Sequence, residues 1–166
     1  MNGLDYRSLI QLTLVLSAAG GALGLLAAFA RFLGPLFAFR GRLALAGGGQ
    51  LDAGSAPDSS GKRLLRGASQ LLVGLCLAAL VANVGAMFAR YMEVRHWPAQ
   101  TMYEVLPLGT STGFLSTLIL YYVLGLHRLR GIARGFGDLF VALLLVGAAF
   151  TLKSVLGLDP SGRPLP

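Results

Sequence analysis

The sequence predicts an all-α integral membrane fold with four transmembrane helices and both termini outside. Three observations lead to this prediction. Of the 166 residues, 55% are hydrophobic and only 13% are charged, whereas soluble domains carry roughly 25% charged residues. Four apolar runs are each long enough for the roughly 20 residues that a helix needs to cross a bilayer. The basic residues concentrate in two of the connectors between these runs.

The four apolar runs cover residues 8–30, 69–89, 105–126 and 136–156. Backbone groups in lipid must be paired within their own segment, so each run is expected to be a helix. The third run is polar in its first half, around Pro107. The fourth holds Asp138 near its start and Lys153 near its end, from where both side chains can reach the interface. So few ionisable groups in the spans disfavour a transporter or a channel.

The distribution of positive charge predicts the orientation. Nine of the 14 basic residues lie in the first and third connectors: Arg31, Arg40, Arg42, Lys62, Arg63, Arg66, Arg128, Arg130 and Arg134. By the positive-inside rule these connectors face the cytoplasm, and segment 90–104 and both termini lie outside. A multi-pass protein of the cell inner or plasma membrane follows. The basic residues flank spans and form no stripe with interleaved aromatics, so nucleic acid is not an expected partner.

The chain divides into five predicted segments. They are a first transmembrane helix within 1–30, a basic cytoplasmic connector 31–68 with a flexible Gly/Ser linker at 47–61, a three-helix membrane region 69–156 with an outer loop 90–104, and an outer tail 157–166. The linker composition cannot bury a core, and its basic flanks at 40–42 and 62–63 are expected to bind anionic lipids. Gly20 and Gly24, four residues apart, predict close packing of the first helix on another.

The outer loop "RYMEVRHWPAQTMYEV" carries most of the chemistry in the chain. Thr101 and Glu104 have the spacing of a capping box, so a short helix is expected to start at Thr101 and to kink or break at Pro107. Tyr91, Trp97 and Tyr103 are aromatic residues typical of the headgroup region.

The imidazole of His96 can ligate a metal ion or heme iron. The alternative is an interfacial histidine that is hydrogen-bonded to Glu93 or to water. His127 lies in the basic "HRLR" and is expected to be a plain surface residue. The sequence has no CxxCH, no Cys/His cluster with zinc spacing, no P-loop and no nucleophile elbow, so no independent enzymatic activity is predicted.

The same loop resembles the N-terminal portion of the CcsA/ResC-like System II cytochrome c biogenesis proteins, in the heme-handling superfamily. The family pattern runs approximately R-(W/Y)-x-E-x-G-H-F-P-L-S-N-x-Y-E-S before two membrane spans. The matching residues are Arg90, Tyr91, Glu93, His96, Pro98, Tyr103 and Glu104. The sequence has Arg95 for the family Gly, Trp97 for Phe, Thr101 for Asn and Val105 for Ser. Residues 1–65 match nothing in the family.

The resemblance implies heme export and presentation to apocytochrome c outside. It implies that His96, Trp97, Tyr103 and Glu104 lie near heme, with His96 as the metal ligand. The family's tryptophan-rich WWD segment is not found in this sequence. A second membrane chain is therefore expected to carry that segment and to hold most of the heme, so that this chain acts as the N-terminal half of a split protein. The alternative is a non-catalytic structural subunit of a larger respiratory or photosynthetic membrane complex.

Overall fold

A computed structural model of the chain describes residues 5–45, 59–95 and 101–158. Within these ranges the regular structure is entirely helical. The helices are α1 (Tyr6–Leu45), α2 (Ser59–Val94), α3 (Met102–Val123) and α4 (Gly131–Leu156), with a 3-10 turn at Leu126–Arg128 between the last two. Most of the predicted linker 47–61 and most of the tail 157–166 lie outside the described residues, as do His96 and Trp97.

All four predicted spans are present as helices. The stretches Tyr6–Gly34, Arg63–Val94, Met102–Val123 and Gly131–Leu156 are long and apolar enough to cross a membrane. This supports a multi-pass membrane protein. Each helix extends beyond its apolar run at one end or both, because hydropathy marks the apolar part of a helix and ignores polar turns that continue it.

The helices form a four-membered bundle in which α1 packs against α2 and α4, and α3 also packs against α2 and α4. We call the end that carries the α2–α3 loop the connector end, and the end that carries the α3–α4 turn the turn end. Two apolar clusters fill the interior. Ile10, Ala86 and Leu152 belong to the cluster at the connector end, whereas Leu72 and Leu145 belong to the cluster nearer the turn end.

The predicted close packing of the glycines in α1 is confirmed. A Cβ atom added at Gly24 would lie 2.7 Å from the Cβ of Ala142 on α4 and 2.9 Å from Leu72 on α2. One added at Gly20 would lie 2.9 Å from Leu145. Residues without side chains let α1 approach both neighbours, which explains its extensive contact with them.

Of the kink or break predicted at Pro107, the break does not occur, because α3 continues through this residue from Met102 to Val123. A proline in a helix removes the N–H that would bond to the carbonyl four residues earlier, here that of Tyr103. The hydroxyl of Tyr6 donates to the Tyr103 carbonyl at 2.8 Å, so this carbonyl has another donor in place of that N–H. The third apolar run is therefore one helix and not a short interfacial segment followed by a span.

Candidate functional site

The motif residues of the outer loop meet at the connector end of the bundle. Arg90, in the last turns of α2, donates from Nε to Glu104 Oε1 of α3 at 3.2 Å and from Nη1 to Glu93 Oε2 at 3.1 Å. The side chain of Arg90 is 10% exposed, that of Glu104 is fully buried and that of Glu93 is 58% exposed. Of these two ion pairs, only Arg90–Glu104 is shielded from solvent. It joins the end of α2 to the start of α3.

Two tyrosines surround this buried arginine. The guanidinium carbon of Arg90 lies 5.8 Å from the ring centroid of Tyr6 and 5.5 Å from that of Tyr103. The two rings are 5.0 Å apart and tilted by 52°. A cation this close to aromatic faces is attracted by their quadrupoles, and the attraction grows when water is excluded. The rings and Glu104 together compensate the cost of removing Arg90 from water, and Tyr6 brings α1 into the site.

The hydrogen bond that the capping box predicts for the Thr101 hydroxyl is not formed. Thr101 does occupy the N-cap of α3 in an extended conformation, but its side chain makes no capping hydrogen bond. The N–H groups of Glu104 and Val105 bond instead to the Thr101 carbonyl, at 3.0 and 2.9 Å. The Glu104 carboxylate pairs with Arg90, so the sequence spacing identified the start of the helix but missed the ion pair that forms there.

The connector leaves α2 through a left-handed residue. Arg95 has φ 58°, the only positive φ of a non-glycine residue in the ranges that the structure describes, and its N–H bonds to the Tyr91 carbonyl at 2.9 Å. A left-handed residue just after a helix is most often glycine, because a Cβ atom is unfavourable there. The backbone at Arg95 therefore adopts a conformation that favours glycine.

The structure thus describes two of the four predicted cofactor-binding residues. Tyr103 is 6% exposed and Glu104 is 0% exposed, so both lie inside the bundle. Tyr91, in contrast, is 42% exposed. Because Tyr103 and Glu104 are buried, direct contact between this chain and a heme would depend on the connector residues His96 and Trp97. In the described part of the chain, no group of three or more His, Cys, Asp and Glu residues could hold a metal ion.

Asn83 is a buried polar residue that sequence reasoning missed. Its Nδ2 donates to the Pro107 carbonyl at 2.8 Å and to Ser111 Oγ at 2.9 Å, and the residue is fully buried. The hydroxyls of Thr13 and Thr110 bond to carbonyls four residues earlier in their own helices. An amide on α2 therefore joins the proline-containing part of α3, while the threonines are satisfied locally.

A second buried charge cluster lies at the turn end. Arg31 Nε of α1 is 3.1 Å from Asp138 Oδ2 of α4, and Arg31 Nη2 donates to Ser69 Oγ of α2 at 2.7 Å. The Ser69 hydroxyl donates to Asp138 Oδ2 at 2.8 Å. Arg134 Nη1 donates to the carbonyl of His127 at 2.8 Å. The cluster joins α1, α2 and α4, and it keeps Asp138 fully buried.

The distance between the two clusters matches a bilayer. Ser69 and Arg90 lie 21 residues apart on α2, or about 31 Å along the axis at about 1.5 Å per residue. The hydrocarbon core of a bilayer is about 30 Å thick. Asp138 and Lys153 are the charged residues within the predicted spans, whereas the structure also buries Arg31, Arg90 and Glu104. These charges pair with one another near the two ends of the spans.

Comparisons with protein-family models, with curated proteins and with solved structures find no match to this chain. The assignment of function therefore depends on the geometry above and on the resemblance of the outer loop.

Proposed function

We propose that this chain is a non-enzymatic membrane component of cytochrome c-type biogenesis, acting as the N-terminal half of a split CcsA-like protein. In this proposal it lies in the inner or plasma membrane with both termini and the connector end outside. A second membrane chain carries the WWD segment and holds most of the heme. This chain contributes the outer loop, in which His96 supplies an imidazole ligand and Trp97 an aromatic wall.

The observation that carries the proposal is the closure of the outer loop by the Arg90–Glu104 ion pair. Arg90 precedes the loop, Glu104 follows it, and the two side chains meet at 3.2 Å in the bundle interior. A ligand-bearing loop must be held in a fixed geometry to present an imidazole at a defined position. The left-handed backbone at Arg95 adds support, because it gives the loop the turn of the family's glycine. Tyr103 and Glu104 then act on the heme site indirectly, by fixing the loop.

The charge distribution in space supports the proposed orientation. Among the side chains that the structure describes, the turn end has six arginines and one aspartate, Asp138. The connector end has four basic and three acidic residues. The more positive end of a membrane protein generally faces the cytoplasm, which favours the proposed orientation with the turn end inside and the connector end outside.

The proposal is tested by co-expression with a WWD-bearing partner, purification in a mild detergent and a pyridine hemochrome assay. The expected result is heme in the co-purified complex, with a loss of at least half of it on His96→Ala. His127→Ala, at the turn end, is the matched control and should retain the wild-type amount. A complex that forms without heme, or that loses equal amounts of heme in both variants, would contradict the proposal.

The second candidate function is a structural subunit of a larger membrane complex. It is favoured by the burial of Tyr103 and Glu104, which already have partners within the bundle, and by an exposed small-residue face on α3. A Cβ atom at Gly109 or at Gly113 would have no atom within 4 Å, which leaves room for a helix of another subunit. Purification of the tagged chain with an unrelated heme-free complex would favour this candidate over the first.

A further inference from the structure

We propose that the turn end binds the phosphate of an anionic phospholipid between the starts of α2 and α4, with Arg66, Arg130 and Arg134 as the principal contacts. This surface differs from the basic flanks of the linker, at 40–42 and 62–63, to which the sequence analysis assigned anionic lipids. The proposal does not depend on a role in heme handling.

The starts of α2 and α4 lie close together. Ser69 of α2 donates to Asp138 of α4 at 2.8 Å, and Arg134 Nε lies 3.4 Å from the same Ser69 hydroxyl. Arg66 is three residues before Ser69, so it lies on the same side of α2 one turn nearer the helix start. Arg66 and Arg134 are therefore on adjacent turns of two helices in contact.

Arg66 and Arg134 lie at the depth expected for phospholipid headgroups. The spacing of the two charge clusters puts the Arg31–Asp138 pair, at the level of Ser69, at one boundary of a hydrocarbon core about 30 Å thick. The Cα atoms of Arg66 and Arg134 lie about 4.5 and 6 Å beyond that level, at about 1.5 Å per residue. The headgroup region is about 5–7 Å thick in each leaflet. Both arginines therefore lie where phospholipid phosphates are found.

The described side chains at the turn end carry more positive than negative charge. The side chains described at the turn end carry a net charge of +5, with Asp138 as their one carboxylate: Arg31, Arg63, Arg66, Arg128, Arg130, Arg134 and Asp138. That aspartate already pairs with Arg31. Arg66 and Arg130 are exposed, whereas Arg134 is positioned by its bond to the His127 carbonyl. A positioned guanidinium beside exposed ones suits a phosphate, which accepts several charge-assisted hydrogen bonds at once.

The ligand is assigned to a lipid because of where the arginines lie. They adjoin the apolar surface of helices long enough to span a membrane, so acyl chains attached to the phosphate would lie against that surface. A soluble phosphate would gain only the polar part of this interaction.

The test measures binding of fluorescent phosphatidylglycerol, and of phosphatidylcholine with the same fluorophore and chains, to the full chain in detergent micelles. Phosphatidylglycerol is expected to bind the wild type more tightly. An arginine near an anionic headgroup contributes about 1 kcal/mol, or about five-fold in affinity. The double variant Arg66→Gln/Arg130→Gln should therefore bind about 25-fold more weakly, and Arg134→Gln should also weaken binding.

The matched control removes two exposed positive charges from the connector end, Arg7→Gln/Lys153→Gln, and should leave binding unchanged. Circular dichroism verifies that each variant is folded. If Arg134→Gln does not fold, the double variant Arg66→Gln/Arg130→Gln still tests the proposal, because both of its residues are exposed. Equal binding of the two lipids, or equal losses in the turn-end and control double variants, would overturn the proposal. Displacement of the lipid by millimolar glycerol 3-phosphate would overturn the assignment to a membrane lipid and indicate a soluble phosphate.

Discussion

The bond from Tyr6 to the Tyr103 carbonyl leads to a sharp prediction, because the reason for it is a single proline. Tyr6→Phe removes the hydroxyl that donates at 2.8 Å but keeps the aromatic ring against Tyr103 and Arg90. Without that hydroxyl the carbonyl would be left without the donor that replaces the missing N–H of Pro107. We therefore expect the cost of Tyr6→Phe to depend on which residue occupies position 107.

The magnitude follows from the environment of the two groups. Tyr6 is 3% exposed and Tyr103 is 6% exposed. Leaving a buried carbonyl unsatisfied costs about 1–3 kcal/mol, although hydrogen bonds between membrane helices average lower, about 0.6 kcal/mol. We expect Tyr6→Phe to lower the free energy of unfolding by about 1–2 kcal/mol. In a Pro107→Ala background the alanine N–H can bond to the same carbonyl, so the same substitution should cost about 0.5 kcal/mol or less.

The assay is a double-mutant cycle with four proteins: the wild type, Tyr6→Phe, Pro107→Ala and the double variant. Each is unfolded reversibly in detergent and followed by circular dichroism. Comparing the two Tyr6→Phe steps cancels the change in helix propensity that Pro107→Ala brings by itself. An equal cost of Tyr6→Phe in both backgrounds would refute the reasoning and show that Tyr6 has no role linked to the proline.

Two further predictions concern charges that the structure places in specific positions. Asp138→Leu should lower the free energy of unfolding by about 3–5 kcal/mol, because it leaves Arg31 buried without its carboxylate partner. The double variant Arg31→Met/Asp138→Leu should recover most of the loss, and a double variant no more stable than the single one would contradict this. As a control, Glu93→Gln breaks an exposed pair and should cost less than about 1 kcal/mol. Arg95→Gly should raise the free energy of unfolding by about 1 kcal/mol, because the left-handed conformation at φ 58° is unfavourable for a residue with a Cβ atom. Thermal unfolding of the wild type and the variant measures the change. A less stable glycine variant would contradict the prediction and show that the Arg95 side chain stabilises this turn.

Hydropathy was sufficient to predict the four helices but not where they end. Arg31 and Arg90 were assigned to connectors because they lie outside the apolar runs, yet α1 and α2 continue past them. Because each arginine lies within a helix, it faces the neighbouring helices of the bundle and pairs with a carboxylate there, Arg31 with Asp138 and Arg90 with Glu104. Composition alone does not distinguish a charge at the end of a span that is solvated from one that is paired.

The contents of the site were predictable to different degrees. Arg90 and Glu104 flank a short loop between two antiparallel helices and carry opposite charges, so their pairing has a signal in the sequence. Arg31 and Asp138 are separated by two further helices, and nothing in the sequence links them. The role of Tyr6 depends on the missing N–H of Pro107, which the sequence reveals, and on the contact of the Tyr6 side chain with Tyr103 of α3, which only the structure shows.

The clusters at the two ends also determine how the protein responds to the thickness of its membrane. At the turn end Arg31, Ser69 and Asp138 join α1, α2 and α4, and at the connector end Tyr6, Arg90 and Tyr103 join α1, α2 and α3. A single helix adapts to a thin bilayer by tilting, but α1 and α2, which are joined to each other at both ends, cannot tilt separately. This pair therefore has a fixed hydrophobic length, and in a membrane that does not match it the lipids must stretch or compress, or α1 and α2 must lean together.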